Sequence, residues 1–137
     1  MTRDMIRQSL IRDEGMKLKP YRDSTGVLTI GVGRNLDANG ISTGEAYYLL
    51  DNDLDHAIKA CVAKLPWFVT LDPVRQGVLV QMAFNLGIAG LLGFKQTLAA
   101  VKRGDYATAA AQMLRSKWAK QVKERASRLA KQMETGK

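Results

Sequence analysis

Glu14, Asp23 and Thr29 fall within one short stretch, residues 12–33, in which a helical pattern gives way to a glycine-punctuated hairpin. Two carboxylates and a hydroxyl on either side of a tight turn can set an acid across a groove from a water held by an acceptor and a hydroxyl. That arrangement suits the inverting hydrolysis of a sugar linkage. Each residue type also has an ordinary use. Glu14 serves equally as a surface carboxylate, Asp23 as a turn former in Asp23-Ser24-Thr25-Gly26, and Thr29 as a β-branched strand residue. Glu14 stands at a helix end beside Gly15, where backbone can approach a substrate and where partial burial would raise a carboxyl pKa toward the working range.

The elements that must position these groups are readable from spacing. Residues 2–12 carry Ile6, Leu10 and Ile11 at helical intervals, with Thr2 or Asp4 as cap, which predicts a short helix ending near Glu14. From Lys19 to Asn35 the helical period is lost. Turn formers at Pro20, Ser24-Thr25-Gly26, Gly31 and Gly33 alternate with Tyr21, Val27, Leu28, Ile30 and Val32, predicting a small antiparallel sheet. Ser42-Thr43-Gly44-Glu45 is a capping box that opens a long helix. Its apolar stripe is Ala46, Leu49, Leu50, Leu54, Ala57, Ile58, Cys61, Val62 and Leu65, and Pro66 ends it. Its length and position suggest a bridge between lobes.

Asp72-Pro73 reads as an N-cap followed by proline at the first helical position, and Val74 to Leu86 is apolar on nearly every side before Gly87. That helix is expected at the buried centre of the larger lobe. Gly87, Gly90, Gly93 and Gly104 punctuate the segments beyond, with Phe94, Leu98, Val101, Tyr106, Ala110 and Met113 as expected core contacts. A last helix carries Val122, Ala126, Leu129, Ala130 and Met133. No repeat or low-complexity tract interrupts the chain. The fold class is therefore α+β, a small antiparallel β-sheet lobe joined by a long helix to a mainly helical lobe.

At 137 residues the chain suits one domain, and 46% hydrophobic with 25% charged residues is ordinary for a globular protein. A net charge of +8 favours anionic partners: nucleic acid, a membrane surface or acidic envelope polymers. No run approaches the roughly 18 apolar residues of a membrane span. The opening Met1-Thr2-Arg3-Asp4 leads into an amphipathic segment rather than a secretion signal, so the chain is expected to begin in a cytoplasm. Cys61 is the sole cysteine and lies on an apolar stripe, which predicts a buried thiol. His56, the sole histidine, leaves no His-rich metal site and no histidine-based triad, and reads as a solvated helix residue. Gly31-Val32-Gly33 lacks the third glycine and following helix of a dinucleotide fingerprint, and no Walker lysine follows.

Glu14-Gly15, Tyr21-x-Asp23, Gly26 and Thr29-x-Gly31-x-Gly33 occur in order and without insertion. Ala83-Phe84-Asn85-Leu86-Gly87, Gly93-Phe94, Lys117-Trp118 and Arg125-Ala126-x-Arg128 follow. In these motifs the chain resembles, over nearly its whole length, the phage-type lysozymes of glycoside hydrolase family 24, the T-even phage endolysins. The resemblance implies a single lysozyme-like domain over 1–137. Residues 14–60 would form the small β-containing lobe with its linking helix, and residues 1–13 and 61–137 the helical lobe. It implies hydrolysis of the β-1,4 bond between N-acetylmuramic acid and N-acetylglucosamine in bacterial peptidoglycan, with Glu14 as acid. Asp23 would remain ionised and Thr29 would place a hydroxyl on the attacking water.

By the same resemblance Asn35, Phe84, Asn85, Thr97 and Gln112 would contact substrate, although Phe84 is equally well a core residue. Asn35 and Gln112 differ in side chain from the most familiar member. Arg125 would pair with the catalytic glutamate in a supporting role. Arg34 stands where a histidine often follows the glycine pair, and an altered pH response or binding is expected from it. No metal and no organic cofactor is called for.

Peptidoglycan is the expected partner and nucleic acid is not. The chain is expected to be a monomer held in the host cytoplasm until a holin releases it to the periplasm and cell wall. Lys117, Lys120, Lys123, Arg125, Arg128 and Lys131 crowd the C-terminal helix. They form either a solvated face or a surface that adsorbs to the anionic envelope. Two rival readings are a lytic transglycosylase, which needs no attacking water and so no Asp23 or Thr29, and a non-catalytic protein that binds peptidoglycan or nucleic acid.

Overall fold

Thr2 starts the first helix as the sequence suggests: its hydroxyl accepts from the Met5 amide at 3.2 Å, and α1 runs Arg3–Glu14. Gly15, at φ 73°, turns the chain out of the helix while its amide still closes on the Ile11 carbonyl. These features come from a computed structural model that describes residues 2–137.

Three strands follow, β1 (Lys17–Arg22), β2 (Leu28–Gly31) and β3 (Arg34–Asn35), joined as an antiparallel meander in the order β1-β2-β3. In the first pair Tyr21 lies opposite Thr29 and Arg22 opposite Leu28, and in the second Thr29 lies opposite Asn35. β1 departs from regular pairing between Lys17 and Tyr21, the stretch that holds Pro20, which has no amide to give. Asn35 then caps a four-residue helix, α2 (Leu36–Asn39), its side-chain oxygen taking the Ala38 amide at 2.9 Å. The sequence reading did not include this turn of helix.

The long helix α3 spans Thr43–Lys64. Its capping box is reciprocal, as the pattern predicts: the Ser42 amide donates to Glu45 at 2.8 Å, and the Glu45 amide to the Ser42 hydroxyl at 3.1 Å. The chain clusters into two compact units that meet within α3, the first ending at Tyr48 and the second running Leu49–Lys137.

In the second unit a 3-10 turn at Phe68–Thr70 leads to α4 (Pro73–Leu92). α5 (Lys95–Lys102), α6 (Tyr106–Arg115), α7 (Lys117–Val122) and α8 (Glu124–Thr135) follow. α4 begins on the Asp72 cap with Pro73 at its first position, and it breaks at Gly87, where φ is 75°. Helical geometry resumes beyond Gly87 instead of stopping there, so one further turn is gained. Val78, Leu79, Met82, Leu91, Val101, Ala109, Met113, Leu129 and Met133 are almost wholly inaccessible and form the core of this unit. Cys61 is buried with them, and His56 is exposed, both as anticipated.

Two expectations need correction. The α3 stripe is only partly used. Ala57 and Cys61 are buried, with Leu65 just beyond, whereas Leu49, Leu50, Ile58 and Val62 remain exposed. The C-terminal helix is also two helices. Lys123 adopts φ 46°, a left-handed conformation, between α7 and α8, so Val122, Lys117 and Lys120 fall on α7 and Arg125, Arg128 and Lys131 on α8.

Arg75 holds the second unit together across a long sequence separation. Its guanidinium donates to the carbonyls of Met133 at 2.6 Å and Glu134 at 2.9 Å, pairs with Asp72 at 3.1 Å, and stacks 3.6 Å over the Tyr106 ring. Burial pushes the Asp72 carboxyl pKa up, but hydrogen bonds from the Arg75 amide and guanidinium overcome it and leave the group below its ordinary value. Among the described residues no single helix is long and apolar enough to cross a membrane.

Candidate active site

The hairpin between β1 and β2 is organised by Asp23. Its Oδ1 accepts from the Thr25 amide at 2.9 Å, the Thr25 hydroxyl at 2.8 Å and the Val27 amide at 2.9 Å, while its own amide donates to the Val27 carbonyl at 3.0 Å. These donors, the Val27 amide first and the Thr25 hydroxyl next, hold the carboxyl below its ordinary pKa, so Asp23 is ionised at neutral pH. All three of these bonds are made to Oδ1 rather than Oδ2.

Thr29 is buried at 4% exposure, and its hydroxyl donates to the Val27 carbonyl at 2.8 Å. Strand alternation fixes the face it shares. Tyr21 and Asn35 are its partners across β1 and β3, and Asp23 lies two residues beyond Tyr21, opposite Val27. Asp23, Thr29 and Asn35 therefore lie to one face of the sheet. The Asn35 oxygen is taken up by capping α2, which leaves the amide nitrogen as its free polar group. Asp37 of α2 supports the same hairpin, accepting from the Leu28 amide at 3.0 Å and approaching Arg22 at 3.9 Å.

Glu14 ends α1 against the next turn of the sheet. A Cβ built on Gly33 would lie 3.1 Å from Glu14 Oε2 and 3.2 Å from its carboxyl carbon, so the carboxyl rests on the bare face of that glycine. The partial burial anticipated for Glu14 is not met. The residue is exposed, because α1 ends there and Gly15 carries the chain away. Gly33 itself has φ 68°, a conformation that admits glycine readily and other residues at a cost.

Arg34 makes contacts that its position after the glycine pair did not announce. The guanidinium grips both Glu45 oxygens, at 2.9 and 2.7 Å, and also donates to the Gly40 carbonyl at 3.1 Å. The Arg34 bond, followed by the Ser42 amide, pulls Glu45 from 4.5 down to about 2. Glu45 in turn raises the Arg34 pKa.

In the second unit Phe84 projects from α4 with 47% of its surface exposed, which sets aside its reading as a core residue. Asn85, one residue on, accepts the indole N–H of Trp118 at 2.8 Å, and that indole meets the Phe94 ring edge-on at 6.1 Å. Thr97 and Gln112 come together on α5 and α6, where they line a hollow of about 280 Å³ with Phe94, Lys95, Arg115 and Ser116. Arg125 is exposed in the first turn of α8. Among the described residues no group of three His, Cys, Asp or Glu gathers that could hold a metal ion.

A small three-stranded antiparallel meander and a mainly helical unit with a buried central helix define an α+β protein of lysozyme type. The sequence pattern of phage lysozymes matches residues 12–134, and the chain belongs to that family. A probable T4-type lysozyme 1 of Dictyostelium discoideum is 30% identical over 96% of this chain and 94% of its own length. The SAR-endolysin of Escherichia phage Mu is 38% identical over 82% of this chain and 66% of its own. The endolysin of Salmonella phage P22 is 34% identical over 61% of this chain and 62% of its own. The protein is thus a glycoside hydrolase of the lysozyme type, with peptidoglycan as its substrate.

Proposed function

We propose that the protein is a muramidase that cleaves the β-1,4 bond between N-acetylmuramic acid and N-acetylglucosamine with inversion, and that it acts as an endolysin in host cell lysis. The observation that carries this reading is the division of labour within Asp23. The turn bonds are made to Oδ1, which leaves Oδ2 as the acceptor for a water, and Asp23 falls on the sheet face that Thr29 shares. The Thr29 hydroxyl has spent its proton on the Val27 carbonyl, so it has only acceptor capacity left. A water that donates one proton to Asp23 Oδ2 and the other to Thr29 keeps a lone pair for the anomeric carbon. Protonated Glu14 gives its proton to the leaving oxygen, the water oxygen bonds to the anomeric carbon from the opposite face, and Asp23 accepts the proton that water loses.

In the first unit Asn35 contacts substrate through its amide nitrogen; in the second the Asn85 amide nitrogen, the exposed face of Phe84 and the Thr97–Gln112 hollow do so. The +8 charge assists adsorption to the anionic envelope, and a holin releases the monomeric enzyme from the cytoplasm to the cell wall.

Digestion of purified peptidoglycan in heavy-oxygen water, with Glu14→Gln run alongside, tests the chemistry. Reducing muramic ends that carry one heavy oxygen, absent with the variant, are expected. Anhydro-muramic ends would make the protein a lytic transglycosylase, and an absence of fragments would make it a binding protein.

A further inference from the structure

The face of Gly33 on which Glu14 rests is only as steady as the turn that contains it. Three contacts define the local arrangement: Glu14 Oε2, Cδ and Cγ would lie 3.1, 3.2 and 3.3 Å from a Cβ at Gly33. Arg34, the next residue, is paired with Ile30 in β3. Its side chain leaves the strand and closes on groups six and eleven residues further along, the Gly40 carbonyl and both oxygens of Glu45. Glu45 also takes the Ser42 amide at 2.8 Å, so the same carboxylate caps α3 and receives the arginine. The turn bearing Gly33 is thereby tied to the first turn of a 22-residue helix by a two-pronged bond.

We propose that Arg34 is a positioning residue for Glu14, its grip on Glu45 and Gly40 fixing the Gly33 turn against which the acid carboxyl lies. The proposal rests on the reading of Glu14 as the proton donor. It separates geometry from bulk stability. The Arg34 and Glu45 side chains are 38% and 43% exposed, and ion pairs so open to water contribute little to folding. A planar fork that meets two carboxylate oxygens and a carbonyl fixes direction in a way a single ammonium cannot. Loss of the pair should therefore disturb the placement of Glu14 far more than it disturbs the fold.

The test uses the full chain with Arg34→Gln, Glu45→Gln, the double variant, Arg34→Lys and, as a control on the underlying reading, Glu14→Gln. Glutamine at position 45 keeps an acceptor for the Ser42 amide, so the cap is retained. Two readouts are taken: kcat and KM separately on solubilised peptidoglycan, and the carboxyl ¹³C chemical shift of Glu14 at a fixed pH. Each single glutamine variant should lower kcat by about tenfold to a hundredfold, the range expected when a catalytic group is displaced by about an ångström. KM should stay within about twofold, since the substrate contacts are untouched.

The Glu14 carboxyl resonance should move in both variants and in the same direction, and the double variant should be no worse than either single. Arg34→Lys should fall between the parent and Arg34→Gln. It carries the same comparison if a glutamine variant does not fold. An unchanged kcat and an unmoved Glu14 carboxyl resonance in folded Arg34→Gln overturn the positioning role. Activity that survives in Glu14→Gln overturns the acid assignment instead, and the resonance of Glu14 in the Arg34 variants still reports whether Arg34 places that carboxyl.

Discussion

Replacing Gly33 by alanine puts the contact with Glu14 under direct strain, and Gly31→Ala supplies its control. The two glycines share a left-handed backbone, at φ 68° and 69°, but a Cβ at Gly31 would meet nothing within 4 Å, whereas one at Gly33 would press on the Glu14 carboxyl at 3.1 Å. The backbone cost of a left-handed alanine is about 1–2 kcal/mol, offset by about 0.4–1 kcal/mol from the stiffer unfolded chain. Each variant should thus lose about 1 kcal/mol, or roughly 3–6 °C in Tm for a chain of this size. The loss should be equal within error.

Activity should separate the two variants. In Gly33→Ala the carboxyl must move by a few tenths of an ångström, and kcat should fall by about tenfold, equivalent to about 1.4 kcal/mol in the barrier. Gly31→Ala should keep kcat within about twofold. Thermal unfolding and initial rates on solubilised peptidoglycan measure both quantities on the same samples. Equal kcat losses in the two variants would refute the claim that the bare face of Gly33 seats the acid.

Arg75→Met keeps the hydrocarbon but strands two carbonyls at the end of α8 and removes the stack on Tyr106, so urea unfolding should show a loss of about 2–4 kcal/mol with peptidoglycan hydrolysis per folded molecule preserved. Asn85→Ala leaves the Trp118 indole N–H without its acceptor. It should cost about 1–3 kcal/mol and shift tryptophan emission in the native state. Acid should destabilise the protein in a defined window. Glu45, Asp23, Asp72 and Asp105 all have folded-state pKa values below their ordinary ones, so their contribution is present above the ordinary carboxylate range and is lost as pH falls through the folded values. For Glu45 that window runs from 4.5 to about 2, and Arg34→Gln should flatten the fall of Tm within it; an unchanged slope would show that the pair does not carry the effect.

Signals that act within a few residues were legible in the sequence. Thr2, Ser42 with Glu45, and Asp72 with Pro73 announced their helices because a cap and its amides lie within one turn. Gly15, Gly31, Gly33 and Gly87 marked real departures from regular backbone. Lys123 gave no such mark, since nothing in a lysine signals a left-handed conformation, and the break between α7 and α8 was missed for that reason. The Arg75 staple reaches residues 58 and 59 positions away, beyond any periodic pattern.

The site divides in the same way. Glu14, Asp23 and Thr29 were singled out by a motif that resembles the phage lysozymes, since each residue type alone has an ordinary use, and the turn role of Asp23 was readable from Asp-Ser-Thr-Gly. That the turn bonds are made to one oxygen rather than the other is a matter of three-dimensional geometry. Arg34 drew notice only as a departure from histidine. What it does depends on Glu45, whose carboxylate the sequence assigned to capping alone.

The lone thiol gives this chain a built-in clock. Cys61 has no measurable exposure, and burial raises its pKa, so an alkylating reagent reaches it as a reactive thiolate only when the packing of the second unit opens. For an opening free energy of about 5 kcal/mol, labelling should run roughly 10³- to 10⁴-fold slower than on an unfolded thiol. With one cysteine in 137 residues, each labelled molecule records a single event at a single place. Mass spectrometry of the labelled fraction over time would therefore count the excursions of this protein from its native state, under the same conditions in which it cuts its substrate and without denaturant.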